Sequence, residues 1–188
     1  MDKQITIAAM SGSLRKGSYN TMLLHALPAL LPDGMSLEMT SIADLPLYNA
    51  DLDTPAVAKR PEAVQAFRDV LTKTDAVLFV SPEYNYSIPG GLKNAIDWAS
   101  RGEDSPLLHK PVSLMGVTPY MWGTVRMQLA FHPVFQFLNM KPVYKPEILI
   151  AQAQSKFDEN GKLTDAATID IVKRHLQVFK DLIIKQNK

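Results

Sequence analysis

Residues 81–98 read SPEYNYSIPGGLKNAIDW and follow directly on the apolar, β-rich run AVLFV of residues 76–80. Ser81 and Ile88 each precede a proline, which favours extended backbone at both positions. Pro89 suits the first turn of a helix, and the apolar residues that follow it share one helical face: Leu92, Ala95, Ile96 and Ala99. The stretch therefore predicts a strand, a stiff loop and a helix in succession. Taken alone, the loop also fits a rigid turn that carries its tyrosines on the surface.

Strand-like and helix-like patterns alternate from one end of the chain to the other. Short apolar runs predict five strands, at residues 5–10, 36–42, 76–80, 112–117 and 148–151. Helical spacing predicts five helices, at residues 19–31, 61–74, 89–99, 124–139 and 165–186. We expect Pro28 to kink or shorten the first of these helices and Pro133 to interrupt the fourth.

Alternation of this kind predicts an α/β fold, because parallel strands need crossover connections and helices usually form them. Five strands fit a doubly wound parallel sheet of order 2-1-3-4-5 with helices on both faces, within one domain of residues 1–188. In that order the ligand crevice opens at the carboxyl ends of strands one and three. We expect the loops of residues 11–18 and 82–91 to lie there.

The composition limits the partners and the compartment. The formal net charge is +1 and the basic residues are scattered, so we expect neither a nucleic acid nor a membrane partner. The chain has no cysteine, which excludes disulfides and thiolate metal sites. With no recognisable signal peptide and no apolar run of membrane-spanning length, we expect a cytoplasmic protein.

The first loop, residues 11–18 with the sequence SGSLRKGS, offers hydroxyl groups, one guanidinium and the start of a helix. All three suit a phosphate, because a helix N-terminus presents unpaired N–H groups and Arg15 presents a fork of donors. Gly12 and Gly17 have the spacing of a P-loop, but Ser18 stands where that motif requires lysine. The dinucleotide fingerprint G-x-G-x-x-G is absent as well. A glycine- and serine-rich turn that only caps the helix is the alternative.

A monophosphate at one loop and flat aromatic surroundings at the other fit FMN better than ATP or NAD. Pro82 and the tyrosines can flank a planar ring, while backbone groups of residues 83–85 can reach its polar edge. A third loop, residues 117–124, leaves strand four and should complete the cleft. Its aromatic and methionine side chains fit the core or a subunit interface better than a contact with the ring: Tyr120, Met121 and Trp122.

We expect no metal site. The four histidines lie on different predicted elements and lack the spacing of metal ligands: His25, His109, His132 and His175. Surface or partly buried histidines are the simpler interpretation of all four.

Residues 12–20, GSLRKGSYN, and 82–98, PEYNYSIPGGLKNAIDW, resemble the two signatures of the NAD(P)H-dependent FMN reductase family. The likeness is strongest to its bacterial quinone, chromate and azo-dye reductases, and residues 45–49 and 145–147 are similar to that family too. The resemblance implies a flavodoxin-like fold and non-covalently bound FMN. It also implies a homodimer or homotetramer with flavin sites at the subunit boundary.

The resemblance further implies which residues hold the cofactor. The phosphate would be held by Ser11, Ser13, Arg15, Ser18 and Asn20. The isoalloxazine would be lined by Pro82, Glu83, Tyr84 and Asn85, with Tyr86 and Ser87 as second choices. The third loop departs from the family pattern, and only Thr118 and Gly123 keep a likeness; we count Thr118 among the cofactor-binding residues. Arg126 and Glu147 resemble positions of polar contact between subunits.

The chemistry implied is hydride transfer from NADH or NADPH to FMN, followed by electron transfer to a small-molecule acceptor. Quinones, azo compounds, chromate and free flavin are the acceptors that the resemblance suggests. Both substrates would use the same face of the ring in turn, a ping-pong scheme that needs no catalytic side chain. A flavodoxin-type electron carrier and a flavin-binding regulator with little turnover are the alternatives. The near-neutral charge argues against the carrier, which usually presents an acidic face to its partner.

Overall fold

The computed structural model describes residues 4–186. Within them, six strands form one parallel sheet: β1 (Ile5–Ser11), β2 (Met35–Met39), β3 (Ala76–Val80), β4 (Pro111–Val117), β5 (Lys141–Pro142) and β6 (Ile148–Ile150). The α-helices are α1 (Tyr19–Ala26), α2 (Glu62–Lys73), α3 (Gly90–Ala99), α4 (Val125–Phe137) and α5 (Ala166–Gln186). Along the sheet the order is β2-β1-β3-β4-β5, and β6 also pairs with β4.

Apolar residues on both faces of the sheet explain why helices cover both sides. β3 is buried along its whole length, and its side chains alternate between two apolar clusters. Leu78 and Val80 face the cluster that α1 and α5 complete, whereas Val77 and Phe79 face the cluster of α2, α3 and α4. The predicted doubly wound α/β fold and the strand order 2-1-3-4-5 are thus confirmed.

The fifth position of the sheet is split between two short strands: β6 is the strand predicted at residues 148–151, whereas the sequence patterns do not predict β5. β5 pairs with the start of β4 at Pro111 and Val112, and β6 pairs with its end at residues 115–117. Residues 143–147 leave the sheet between them. Because β5 has two residues, one of them a proline without an amide donor, no strand pattern marks it.

β2 is shorter than expected and ends at Met39 rather than at residue 42. Thr40 still donates its N–H to the carbonyl of Ala9 (3.0 Å). The hydroxyl of Ser41 then accepts a hydrogen bond from the N–H of Ala43 (3.1 Å), a local turn that takes the chain out of the sheet. Ile42 is buried beyond the end of the strand.

Prolines alter two helices in different ways. The first α-helix ends at Ala26 and continues through Pro28 as a 3-10 helix, Leu27–Leu30, so the predicted shortening is confirmed. The predicted interruption of α4 is wrong, because the helix runs on through Pro133. Leu129, whose carbonyl loses its helical partner there, is 57% exposed, so water can replace the missing amide. No helix formed by residues 4–186 combines the length and the apolar character needed to cross a membrane.

A fully buried histidine joins α5 to β4 and to the segment between β5 and β6. His175 Nδ1 donates to the carbonyl of Pro146 (2.7 Å), because a carbonyl oxygen can only accept. Nε2 of the ring is then the acceptor for the hydroxyl of Ser113 (2.8 Å). Burial lowers the pKa of His175 below its ordinary value of 6.5, so the folded protein keeps the ring neutral.

We predict that this histidine makes the protein less stable in mild acid. Below pH 6.5 the unfolded chain protonates His175 and the folded chain does not. The free energy of unfolding therefore falls as the pH drops, by up to about 1.4 kcal/mol per pH unit. Urea unfolding at about pH 7.5 and about pH 5.5 measures the slope. His175→Gln should flatten it and the exposed control His25→Gln should not; an unchanged slope in His175→Gln would contradict the assignment.

Candidate functional site

Three loops meet at the carboxyl edge of the sheet, because β1, β3 and β4 are parallel and end side by side. Ser11 lies beside Val80, and Val80 lies beside Met115. The first loop (residues 11–18), the second loop (residues 82–91) and the third loop (residues 117–124) therefore leave the sheet at one place. The hydroxyls of Ser13 and Tyr84, 3.3 Å apart, join the first loop directly to the second.

The first loop is shaped by its own hydroxyl groups. Ser11 Oγ lies 2.9 Å from Thr21 Oγ1 and accepts from the N–H of Ser13 (3.2 Å), so Ser11 holds the loop against α1. Gly17 turns the chain with a φ of 68°, in the left-handed region that favours glycine. Gly12 packs so closely that an added Cβ would lie 2.5 Å from Ser81 Oγ.

The same loop presents donors that suit an anion. Ser18 stands at the N-cap of α1, but its side chain makes no capping hydrogen bond. The first N–H groups of α1 have no partner within the helix, as at every helix start, so they remain available to a ligand. Arg15, in the loop that leads into α1, is exposed and places Nη1 3.1 Å from the carbonyl oxygen of Lys16. This donor set fits the phosphate of FMN.

The side chain of Asn20 makes its contacts inside the protein. Its side chain is 3% exposed and bridges to the last residue of β4. Asn20 Nδ2 donates to the carbonyl of Val117 (2.9 Å), and Oδ1 accepts from the N–H of Val117 (2.9 Å). Asn20 lies in the first turn of α1, so its backbone N–H is the group that can face a phosphate. The side chain instead fixes the first loop relative to the third.

The second loop forms a tight hairpin. Tyr84 N–H donates to the carbonyl of Ser87 (3.2 Å), and Ser87 N–H donates back to Tyr84 (2.9 Å). The two central residues, Asn85 and Tyr86, have φ values of 50° and 62°, as a type I′ turn requires. Asparagine tolerates this conformation, but for tyrosine it costs free energy. The turn exposes both side chains, while Pro82 is buried behind them.

Glu83 uses its carboxylate inside the protein. Oε2 accepts hydrogen bonds from the backbone N–H groups of Arg126 (2.9 Å) and Met127 (3.1 Å), so Glu83 caps the start of α4. The side chain of Glu83 is 12% exposed. The second loop is thereby tied to the helix that follows the third loop, and the backbone of residues 83–85 is the part left for a ligand.

The second and third loops enclose an open cleft of about 540 Å³. Its lining includes Glu83, Asn85, Tyr86, Thr118, Tyr120, Met121, Trp122, Gly123 and Arg126. The side chains at positions 120–122 are 70–78% exposed, so the expectation that they belong to the core is wrong. Their hydrophobicity suggested burial, but the third loop ends at a buried Gly123 and Thr124 and carries them outward. A subunit interface at these residues remains a prediction.

Two further expected residues make contacts within the chain. Thr118 is largely buried, and its hydroxyl accepts from the N–H of Tyr120 (3.3 Å), which shapes the third loop. Glu147 forms an exposed ion pair with Lys145 (2.7 Å). Arg126 lies in the cleft. Its position near the start of a predicted helix gave no indication of this location.

We predict that Asn20→Ala strongly destabilises the protein. The change leaves the buried N–H and C=O of Val117 without their partners, and each loss costs about 1–3 kcal/mol. The free energy of unfolding in urea should fall by about 2–5 kcal/mol. The exposed control Asn160→Ala should change it by less than about 0.5 kcal/mol. Equal values for the two variants would show that the bridge is not a structural requirement.

A doubly wound sheet with an anion-binding loop beside an aromatic cleft, at the point where the winding reverses, defines a flavodoxin-like nucleotide-binding protein. The model of the NADPH-dependent FMN reductase family matches residues 5–155, and the chain belongs to this family. An NAD(P)H-dependent FMN reductase of Pseudomonas aeruginosa is 41% identical over 180 residues, which cover 96% of each chain. A quinone reductase of Escherichia coli is 38% identical over 185 residues, 97% of each chain.

A solved structure gives the same result. The flavoenzyme NAD(P)H:(acceptor) oxidoreductase FerB from Paracoccus denitrificans superimposes with a TM-score of 0.86 at 35% identity. The match covers 96% of this chain and 98% of that one. The expected family, the flavodoxin-like fold, the oxidoreductase class, and FMN with NAD(P)H as co-substrate are all confirmed.

Proposed function

We propose that this chain is a single FMN-binding domain that takes hydride from NADH or NADPH and passes the electrons to a quinone. The two substrates use one cleft in turn, as in a ping-pong scheme. The observation that carries the proposal is the contact of Ser13 in the first loop with Tyr84 in the second loop, because residues of the second loop form one wall of the aromatic cleft. An anion site and a flat, open cleft at one sheet edge match the two ends of FMN, and the relative from Escherichia coli is a quinone reductase.

The proposal assigns each cofactor-binding residue a role. The phosphate is held by Arg15, by the hydroxyls of Ser13 and Ser18, and by the first N–H groups of α1, with Ser11 and Asn20 fixing the loop. The ring lies against Pro82, Tyr84, Thr118 and the backbone of residues 83–85, including Asn85 and Glu83. Bound FMN supplies the capacity to accept a hydride and to release electrons, so the protein needs to contribute position and shielding and no catalytic side chain.

The open cleft is consistent with a wider range of electron acceptors. Azo compounds, chromate and free flavin are further acceptors that we propose, because the cleft leaves one side of the ring site accessible.

We propose a homodimer or homotetramer with flavin sites at the subunit boundary. Leu129 and Phe137, 57% and 75% exposed on α4, are apolar residues that such an assembly would cover. The cytoplasmic location expected from the sequence remains a prediction.

We predict that the purified protein is yellow or becomes yellow with FMN. Under anaerobic conditions NADH or NADPH should bleach it, and a quinone should restore the colour. Absorbance near the flavin maximum measures both half-reactions. A yellow protein that neither nucleotide bleaches would favour the electron carrier, and a protein that cannot be loaded with FMN would contradict the proposal.

We predict that Arg15→Ala weakens FMN binding about thirtyfold, or about 2 kcal/mol, because a charge-assisted contact to the phosphate is lost. Quenching of flavin fluorescence during titration measures the dissociation constant. Arg174→Ala, which removes another exposed arginine, on α5, should leave it unchanged. An unaltered affinity in Arg15→Ala would show that Arg15 does not contact the phosphate.

A further inference from the structure

A second pocket lies on the β2 side of the first loop, away from the aromatic cleft. It has a volume of about 420 Å³, and its walls are the first loop, one face of α1 and the chain around the end of β2. The α1 wall includes Thr21, Leu24 and His25, which share a helical face because they are three and four positions apart. We call this space the edge pocket, because β2 stands at one end of the strand order.

The edge pocket is separate from the aromatic cleft and from the proposed subunit boundary. The cleft opens between the loops that follow β3 and β4, whereas the pocket opens beside β2, with β1 in between. Among the described residues, the two spaces have no lining residue in common. The exposed apolar residues proposed for the subunit contact belong to α4, which packs on the opposite face of the sheet from α1.

The charged groups that line the edge pocket are basic. Among the described residues on its walls, Arg15 and Lys16 carry positive charges, His25 adds an imidazole, and none is acidic. Lys16 is exposed, and within residues 4–186 its ammonium group has neither a hydrogen bond nor an ion pair. An ammonium group carries three donors and binds phosphate oxygens as a compact positive charge. The edge pocket therefore suits an anion.

Hydroxyl groups and apolar side chains complete the edge pocket. Ser41 Oγ accepts from the N–H of Ala43 (3.1 Å), which leaves its own hydroxyl proton available to a ligand. Leu14 and Met39, 60% and 43% exposed, supply apolar surface beside these polar groups. A flat base can pack on that surface while a phosphate takes the basic and hydroxyl donors.

A base on a phosphorylated ribose matches this combination. Dinucleotide sites of the Rossmann type hold the free 2′-hydroxyl of NAD with an acidic side chain, and they hold the 2′-phosphate of NADP with a basic one. The edge pocket has basic residues and, among those described, no acidic one. Its charge thus favours a phosphorylated adenosine over one with a free 2′-hydroxyl.

We propose that the edge pocket binds the adenosine 2′-phosphate of NADPH and that Lys16 sets a preference for NADPH over NADH. The adenine packs on Leu14 and Met39, and the 2′-phosphate accepts hydrogen bonds from Lys16 and Ser41. Arg15 remains with the FMN phosphate, so the first loop separates two phosphate sites. This inference rests on the proposed function, because it assigns the second half of the same co-substrate to a place in the structure.

Two matched variants test the role of Lys16. Lys16→Gln removes the ammonium group and keeps a flexible polar side chain. Lys173→Gln removes another exposed lysine, on α5, that does not line the edge pocket. Both variants should bind FMN as tightly as wild type when flavin fluorescence is quenched by titration. Weaker FMN binding in Lys16→Gln would assign Lys16 to the FMN phosphate and overturn the inference.

The kinetic test compares NADPH with NADH in the FMN-loaded enzyme, with 2-methyl-1,4-naphthoquinone as the acceptor for both. Wild type should have the higher kcat/KM with NADPH. In Lys16→Gln, kcat/KM for NADPH should fall about tenfold more than kcat/KM for NADH, because NADH lacks the 2′-phosphate. Lys173→Gln should leave both unchanged.

Three kinetic results would overturn the inference. A wild-type enzyme that prefers NADH would show that the edge pocket does not select the 2′-phosphate. Equal losses for the two nucleotides in Lys16→Gln would assign Lys16 to a group that both nucleotides share. No loss for either nucleotide would show that Lys16 contacts neither of them.

A binding measurement separates this inference from the proposed function. Calorimetric titration of the oxidised, FMN-loaded protein with adenosine 2′,5′-bisphosphate and with adenosine 5′-monophosphate requires no turnover. Wild type should bind the bisphosphate more tightly, and Lys16→Gln should weaken that binding about tenfold without changing the binding of the monophosphate. Lys173→Gln should change neither.

The same titration has two contrary outcomes. Equal losses for the two ligands in Lys16→Gln would place a 5′-phosphate at Lys16. No binding of the bisphosphate to wild type, as expected if a second subunit covers the edge pocket, would also overturn the inference. If wild type reduces no quinone, the proposed function fails, and the titration still decides whether the edge pocket holds a 2′-phosphate.

Discussion

Two hydrogen bonds between the buried side-chain amide of Asn20 and the backbone of Val117 hold the site together. They join α1 to the last residue of β4, 97 positions further along the chain. Buried backbone groups require hydrogen-bond partners, and the side chain of Asn20 supplies them for the N–H and C=O of Val117. Loss of these bonds would be costly, so the start of α1 stays next to the end of β4. Because α1 begins directly after the first loop and the third loop begins at Val117, the anion site and the aromatic cleft keep a fixed separation.

The other contacts between the loops complete the same frame. Ser13 and Tyr84 join the first loop to the second, and Glu83 joins the second loop to the start of α4. Close packing of Gly12 against Ser81 brings β1 and β3 together beneath them. Contacts made by side chains of the protein thus fix the three loops relative to one another. Such a site can orient a cofactor without a catalytic side chain, which fits a family in which the flavin carries the chemistry.

The sequence predicts the features that depend on local patterns. Alternating strand and helix patterns are sufficient for the sheet order, and the sheet order places the first two loops at one edge. The pairing of Asn20 with Val117 and the cap that Glu83 forms on α4 join distant residues, and no local pattern marks them. Hydrophobicity suggested the core as one location for Trp122 and its two neighbours, and that location is wrong, since exposure depends on the path of the third loop. The two-residue strand β5 lacks any periodicity, and the effect of Pro133 depended on which side of α4 faces solvent.

The proposed function requires that FMN spans the first loop and the aromatic cleft. A crystal structure of the FMN complex tests it most directly. The phosphate should lie within hydrogen-bond distance of Arg15 and of the first N–H groups of α1, with the ring against Pro82 and the backbone of residues 83–85. A phosphate bound away from Arg15, or a ring bound away from the second loop, would contradict the claim.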